Sequence, residues 1–384
     1  VISTQPKPTT TSIDAAAEPI RVLLCDDSAV IRSILDRTLR EDPALRVVGR
    51  VGNGQEAIDA VKAGGIDVVV LDIEMPVMDG MTALPHLLAA DRGIKILMSS
   101  TLTTVGAAIA LEALKLGAAD FVPKPTSVGN IAGDGGFRAE LLAKVKGLGR
   151  LRRRQIPRPA ATPRESAAAG ATPLARPAVS RSLVLRAPPR LPPTVLAIGG
   201  STGGPAALFS LFQALGDRVA VPIVLTQHMP ATFTPMLAAH ITKLGGVSCA
   251  EAKDGDLLQV GRVLLAPGDR HLTITGTASR ASVLLTSDPP ENFCRPAVDP
   301  MLRSLSAVFP GRVLVVMLTG MGQDGLKGSE TVVAAGGSVI AQDEASSVVW
   351  GMPGAVAQAG LCQAILPLST MAAKILQIVG RRGA

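Results

Sequence analysis

VLAIGGSTGGPAALFSLFQAL, residues 195–215, carries three signals in one stretch. Val195–Ile198 is a continuous apolar run, as in a strand buried on both faces. Four glycines around Ser201 and Thr202 then permit a sharp turn. Pro205 stands in a first helical turn, where proline is tolerated, and Ala206–Leu215 has helical spacing. Strand, glycine turn and helix form the unit of a parallel α/β sheet, whose strand C-termini share one edge. Gly199–Gly203 also fits G-x-S-x-G, a turn that exposes a serine hydroxyl beside helix N–H groups. From the loop alone, a phosphate-cradling turn is the alternative. The lysine of a phosphate-binding loop is missing, however, and G-x-G-x-x-G is not matched.

The alternation continues in both directions. Downstream, strand runs at Ile223–Thr226, Val247–Glu251, Val263–Ala266, Val313–Leu318 and Ser338–Gln342 alternate with helical spacing over Pro235–Leu244, Asp299–Val308, Gly325–Ala335 and Leu368–Val379. Short β-type runs at Leu272–Ile274 and Val283–Leu285 predict a hairpin at the sheet edge. Upstream, Arg21–Cys25, Arg46–Val51, Asp67–Leu71, Lys95–Ser99 and Phe121–Pro123 read as strands. Helices over Ala29–Arg40, Gly54–Ala63, Thr82–Ala90 and Ala107–Leu116 separate them. Both halves predict a doubly wound α/β domain around a parallel sheet. Residues 148–193 hold ten arginines, nine prolines and one acid, Glu165, a composition that builds no core. The expected organisation is a disordered tail over 1–19, a first domain over 20–147, a linker over 148–193 and a second domain over 194–384. Leu142–Leu151 could instead finish a helix of the first domain.

The 384 residues and 47% apolar content suit two or three domains. The net charge of +7 suggests nucleic acid, but the linker alone carries +9, so the rest of the chain is slightly acidic. The linker arginines read as solvated charge. Seven Phe, one Trp and no Tyr leave little for a base-stacking surface. No apolar run reaches the ~18 residues of a membrane span, and the Thr-, Pro- and Ala-rich start lacks the apolar stretch of a signal peptide. Cys25, Cys249, Cys294 and Cys362 lie far apart without zinc-like spacing and read as reduced thiols of a cytoplasmic protein. Neither a nucleic-acid partner nor membrane insertion is expected. GNIAGDGG, residues 129–136, reads as a loop-like insert without an assigned role.

Acids cluster at the predicted edge of the first sheet. Asp26 and Asp27 follow the first strand and Asp72 ends the third. Three carboxylates together repel unless a cation joins them, and hard oxygen ligands suit Mg²⁺. Lys124, after a later strand, could pair with the acids or a phosphoryl group, and Ser99 or Ser100 offers a hydroxyl. Singly, such acids are ordinary loop residues, and Asp27 and Ser28 could cap the next helix.

In order, LLCDDSAVIR, LDIEMPVMDG, MSS and FVPKP resemble the signature of response-regulator receiver domains over residues 20–126. The resemblance implies a flavodoxin-like fold with Asp72 as phospho-acceptor. Asp26, Asp27, Asp72 and the backbone carbonyl of Glu74 would hold Mg²⁺, Ser99 would be the switch hydroxyl and Lys124 the phosphate-pairing lysine. A chemotaxis histidine kinase would be the phosphodonor.

A serine nucleophile at Ser201 needs a base. Of His228, His240 and His271, His228 follows a strand directly and shares the sheet edge with Ser201. Asp324, in the glycine-rich TGMGQDG, and Asp343 both follow strands and compete to orient the base. IGGSTGGP, QHMPATFT, LAPGDRHL, RPAVDPMLRS, LTGMGQDG and AQDEASSVVWGMPGA resemble the catalytic domain of chemotaxis methylesterases. With the receiver and linker, the resemblance covers nearly all of 20–384 and points to the CheB family of protein-glutamate methylesterase/glutamine deamidases. It implies Ser201 as nucleophile, His228 as base, Asp324 as orienter, the Met321 N–H as oxyanion donor and Thr202 beside the site. Methyl-accepting chemoreceptors would be the substrate, with no cofactor for the hydrolysis. In this family the unphosphorylated receiver covers the active site. Two residues depart from the family pattern: Cys294 stands where it often has His, and Ser347 where it has Cys. A DNA-binding response regulator and a catalytically idle scaffold are the competing readings. The second half lacks a helix-turn-helix pattern, and the presence of all three triad residues argues against idleness.

Overall fold

The computed structural model describes residues 18–101, 103–124, 135–155 and 183–380. Most of the expected tail, residues 129–134 of the insert and the centre of the expected linker lie outside the described residues.

The first half runs β1 (Ile20–Cys25), α1 (Ala29–Arg40), β2 (Leu45–Val51), α2 (Gly54–Ala63), β3 (Val68–Asp72), α3 (Gly80–Ala90), β4 (Lys95–Ser100), α4 (Thr104–Lys115), β5 (Asp120–Pro123) and α5 (Gly135–Gln155). Its strands pair in the order β2-β1-β3-β4-β5, all parallel. The Val/Leu run of β3 is buried throughout because helices cover both faces. Short side chains start the helices: Ser28, Asn53, Asp79 and Thr103 each accept a backbone N–H from the first turn.

The second half runs β6 (Val195–Gly200), α6 (Gly204–Leu215), β7 (Ile223–Gln227), α7 (Thr234–Gly245), β8 (Ser248–Glu251), β9 (Arg262–Leu265), β10 (His271–Thr277) and β11 (Arg280–Thr286). It continues with α8 (Val298–Val308), β12 (Val313–Met317), α9 (Leu326–Ala334), β13 (Ser338–Gln342), α10 (Met352–Gln358), β14 (Cys362–Leu366) and α11 (Leu368–Val379). Seven strands form a parallel sheet in the order β14-β13-β12-β6-β7-β9-β8. Two doubly wound α/β sheets are therefore present, as the strand and helix spacing predicts.

Three expectations change. β10 and β11 do form a hairpin, but it is a separate two-stranded sheet and not an extension of the large one, whose edges are β8 and β14. β14 and α10 had no counterpart in the strand and helix reading. The linker, expected from residue 148, begins inside α5. Phe137, Leu141, Val145 and Leu148 form one buried stripe, so the helix continues well into the arginine-rich stretch. Its arginines are not simply solvated. Arg152 Nη2 is 2.6 Å from Asp91 Oδ2, and Arg153 Nη2 is 3.0 Å from Asp67 Oδ2 and binds the Pro19 carbonyl at 2.6 Å. The acids stand beside α5 and attract charge that composition alone had assigned to water.

The two halves share one apolar cluster. Leu111, Leu114 and Phe121 of the first belong with Phe209, Phe212 and Phe233 of the second. The Phe121 and Phe233 rings stack with centroids 4.5 Å apart, a contact worth about 1 kcal/mol beyond area burial.

Candidate active site and carboxylate pocket

β1 and β3 are neighbours, so their C-terminal ends bring Asp26, Asp27 and Asp72 together with carboxylate oxygens within 4.8 Å of one another. Lys124, just past β5, places Nζ 2.6 Å from Asp72 Oδ2 and 3.2 Å from Asp26 Oδ2. The β3–β4 register sets Ser99 directly beside Asp72. Ser100, the alternative hydroxyl, bonds instead to the carbonyls of Gly106 and Thr101. Glu74 lies in the exposed bend after β3. Burial pushes the Asp72 pKa up to about 6; Lys124 opposes the rise and Asp26 adds to it. Three hard oxygens against one ammonium leave net negative charge, so the residues present fit a Mg²⁺ ion.

In the second sheet, β6 lies between β12 and β7, at the point where the winding direction reverses. Ser201, Asp324 and His228 follow these three strands and share one edge. Gly203 adopts φ +75, which ends the turn and starts α6. At Gly204 a Cβ would come within 2.0 Å of the Gln227 side-chain oxygen, so a larger residue there would displace the Gln227 side chain. Gln227 Nε2 donates to the Ser201 carbonyl at 2.8 Å and holds the loop against β7.

His228 Nε2 is 2.7 Å from Asp324 Oδ2. Asp324 is itself pinned: the N–H of Val298 donates at 2.6 Å, that of Asp299 at 3.2 Å and Asn292 Nδ2 at 3.0 Å. Burial works against its carboxylate, but His228 and the Val298 and Asp299 N–H groups hold its pKa below the usual range. The other ring nitrogen of His228, Nδ1, is 3.3 Å from Cys294 Sγ. Burial disfavours the imidazolium, yet the hydrogen bonds to Asp324 and Cys294 outweigh it and raise the His228 pKa to about 10.

The His228 N–H donates to the carbonyl of Gly200, the residue before Ser201, at 3.1 Å. Among the described residues the Ser201 hydroxyl makes no hydrogen bond, and both ring nitrogens of His228 have other partners. Thr202 is buried, and its carbonyl accepts from Thr319 Oγ1 at 2.9 Å. The Met321 main-chain N–H has no acceptor among the described residues. A cavity of about 540 Å³ is lined by His228, Asn292, Phe293, Cys294, Met321 and Asp324, among others.

The alternatives lie elsewhere. Asp343 accepts from the Ser346 N–H at 2.9 Å and closes a local turn. His271 is buried between the Pro289 carbonyl and the Ala297 N–H. His240 Nε2 stands 3.5 Å from Glu112 of α4, across the boundary between the halves. Ser347, at the second departure, donates to the Asp343 carbonyl at 2.7 Å and is structural. Residue reading missed Gln227, Asn292 and Asp299. Gln227 and Asp299 lie within the motifs QHMPATFT and RPAVDPMLRS but give no sign of their role there, and Asn292 lies outside any motif; all three matter through what they hold.

The CheB methylesterase family model matches residues 196–375, and the response regulator receiver domain model matches residues 22–133. A protein of Paramagnetospirillum magneticum named protein-glutamate methylesterase/protein-glutamine glutaminase 1 is 50% identical over 96% of this chain and 98% of its own length. The chain belongs to the CheB methylesterase family. A relative of the same general name from Azospirillum brasilense is 53% identical over 96% of this chain and 94% of its own. One from Rhodospirillum centenum, of its group 2 operon, is 53% identical over 96% of each. In this CheB-family chain the carboxylate pocket falls within the receiver match, and Ser201, His228 and Asp324 fall within the methylesterase match. No helix among the described residues is long and apolar enough to cross a membrane.

The halves touch at the Ser201 loop. Asp120, at the start of β5, accepts the Gly203 N–H on Oδ2 at 2.9 Å. Lys144 of α5 is buried 3.5 Å from the same carboxylate and donates to the Phe121 carbonyl at 2.5 Å. Gly147 of α5 packs so tightly on Val348 that a Cβ would come within 2.6 Å of its carbonyl. The cavity beside His228 is lined by second-half residues, and the first half meets the Ser201 loop at Gly203, outside that lining.

Proposed function

We propose that this chain is a phosphorylation-regulated serine hydrolase that removes methyl groups from glutamate esters of methyl-accepting chemoreceptors and deamidates their glutamines. The His228–Asp324 pair beside the Ser201 loop, in a chain about half identical to named methylesterases, carries this reading. His228 Nδ1 exchanges Cys294 for Ser201 and accepts the hydroxyl proton as Ser201 Oγ attacks the ester carbonyl. Asp324 supports the imidazolium. The Met321 N–H, with the positive end of α6, receives the oxyanion; one such donor contributes about 3–4 kcal/mol. The protonated ring returns its proton to the leaving methanol, and water then hydrolyses the acyl-enzyme. A glutamine amide follows the same course and releases ammonia.

Asp72 is the proposed phospho-acceptor, with a chemotaxis histidine kinase as donor. Asp26, Asp27, Asp72 and the Glu74 carbonyl would hold Mg²⁺, which offsets charge on phosphoryl oxygens when bound. Lys124 pairs with the phosphoryl group and Ser99 is the switch hydroxyl. β5 supports the coupling: Lys124 follows its C-terminal end at the pocket, and Asp120 begins it against Gly203.

The test is methanol release from methylated chemoreceptor membranes, with and without acetyl phosphate and Mg²⁺. Release that needs Ser201, and rises with phosphodonor only while Asp72 is present, is the expected result. Ser201→Ala should lose at least a thousandfold. No release from folded wild-type protein moves the second half to another ester or amide, or to the idle scaffold.

A further inference from the structure

The cavity beside His228 has an aromatic rim that the chemistry above does not use. Glu291 and Cys294 exchange backbone hydrogen bonds at 3.1 and 2.8 Å, closing a two-residue turn over Asn292 and Phe293. Both central residues have positive φ, +52 and +64. Tight hairpin turns of this kind normally place glycine second, because a Cβ and a bulky side chain are strained there. Asparagine adopts this conformation readily, and phenylalanine only under strain.

Three of the four turn residues explain themselves. Glu291 pairs with Arg303 at 2.5 and 2.9 Å. Asn292 Nδ2 bridges Asp299 and Asp324 at 3.0 Å each. Cys294 contacts His228. Phe293 stands fully in solvent, 103% exposed, at the mouth of the same cavity. Met321, 37% exposed, lines the same cavity. The fold thus accepts backbone strain and an uncovered ring at one position, and strain held in place by its surroundings collects where function needs it.

We propose that Phe293 is a specificity-determining residue that docks the protein substrate, packing on an apolar side chain that flanks the esterified glutamate. The proposal rests on the methylesterase reading. Phe293 and Met321 both line the cavity beside His228, so on this proposal the ring meets the neighbours of a modified residue that enters it. On a helical substrate those neighbours lie three or four positions away on the same face. The ring touches no reacting atom. It acts on substrate binding and leaves the chemical step alone.

Full-length Phe293→Gly and Phe293→Leu proteins, assayed on methylated receptor membranes with acetyl phosphate and Mg²⁺, test this together with thermal melting. Phe293→Gly should raise KM roughly tenfold with kcat within about twofold, as for loss of an aromatic anchor. It should also raise Tm by about 2–4 °C, since glycine relieves the positive-φ strain. Phe293→Leu should keep KM within about threefold of wild type. An unchanged KM in Phe293→Gly, a kcat that falls in its place, or a lowered Tm overturns the proposal while the esterase reading stands. A folded wild type that releases no methanol overturns the esterase reading, and this inference with it.

Discussion

His228 is where a single side chain decides most. Its ring is tied to Asp324 on one nitrogen and to Cys294 on the other, and its pKa stands at about 10 against the ordinary 6.5. At neutral pH it is therefore an imidazolium, with no lone pair for the Ser201 proton. Methanol release should rise as pH increases from 7 toward 10, by up to about tenfold per unit while the ring stays mostly protonated. Removing the Cys294 hydrogen bond lowers the pKa, so Cys294→Ala should move that rise to lower pH. A pH–rate profile identical in the two proteins would contradict this account. Stability runs the other way. The folded state holds this proton more tightly than the unfolded chain, so the contribution is full below about pH 6.5 and is lost as pH rises through about 10. Sequence made His228 the leading base by position alone. The thiol on its other nitrogen belongs to the tertiary structure, because Cys294 is 66 residues away.

β5 is the element that joins the two sites. It spans four residues, with Asp120 on the Gly203 N–H at one end and Lys124 on Asp72 just past the other. Asp120 is buried, and burial raises its pKa although Lys144 opposes the rise. Breaking one side of a buried pair leaves the other uncompensated, at about 3–5 kcal/mol. Asp120→Asn should therefore loosen the Ser201 loop from β5. Methanol release without phosphodonor should rise about tenfold, and acetyl phosphate should add little. Phe233→Leu weakens the same boundary from the second half, should act in the same direction and guards against misfolding of the first variant. Basal release unchanged in both folded variants would remove β5 from the switch. The residue pattern showed β5 as a short strand and nothing more. The proposed coupling rests on the Gly203 N–H that Asp120 accepts.

Across the whole molecule, the apolar cluster shared by Phe121, Leu111 and Leu114 with Phe209, Phe212 and Phe233 makes the halves one packing unit. The His240–Glu112 and Arg154–Glu344 pairs cross the same boundary. Calorimetry of the unphosphorylated protein should show one main transition. Acetyl phosphate with Mg²⁺ should separate it into two if phosphorylation loosens the boundary. Two independent transitions without phosphodonor would mean that the shared cluster does not couple the halves.

Much of this protein was written in local residue patterns. Apolar runs of four to six residues and helical spacing set both parallel sheets, since strand and helix periods are properties of neighbouring residues. The glycine turn at Ser201, the acids after β1 and β3 and the histidine after β7 were legible for the same reason. In a parallel sheet, the end of a strand is already an address on one edge. Distance along the chain hid the rest. Asn292 bracing Asp324, Cys294 occupying His228 and Asp120 capping Gly203 join residues 32, 66 and 83 positions apart. Composition alone makes the arginines of α5 solvated charge, because it counts charges but cannot say which acids the fold sets beside them. Such pairings are decided by packing, and local periodicity carries no record of them.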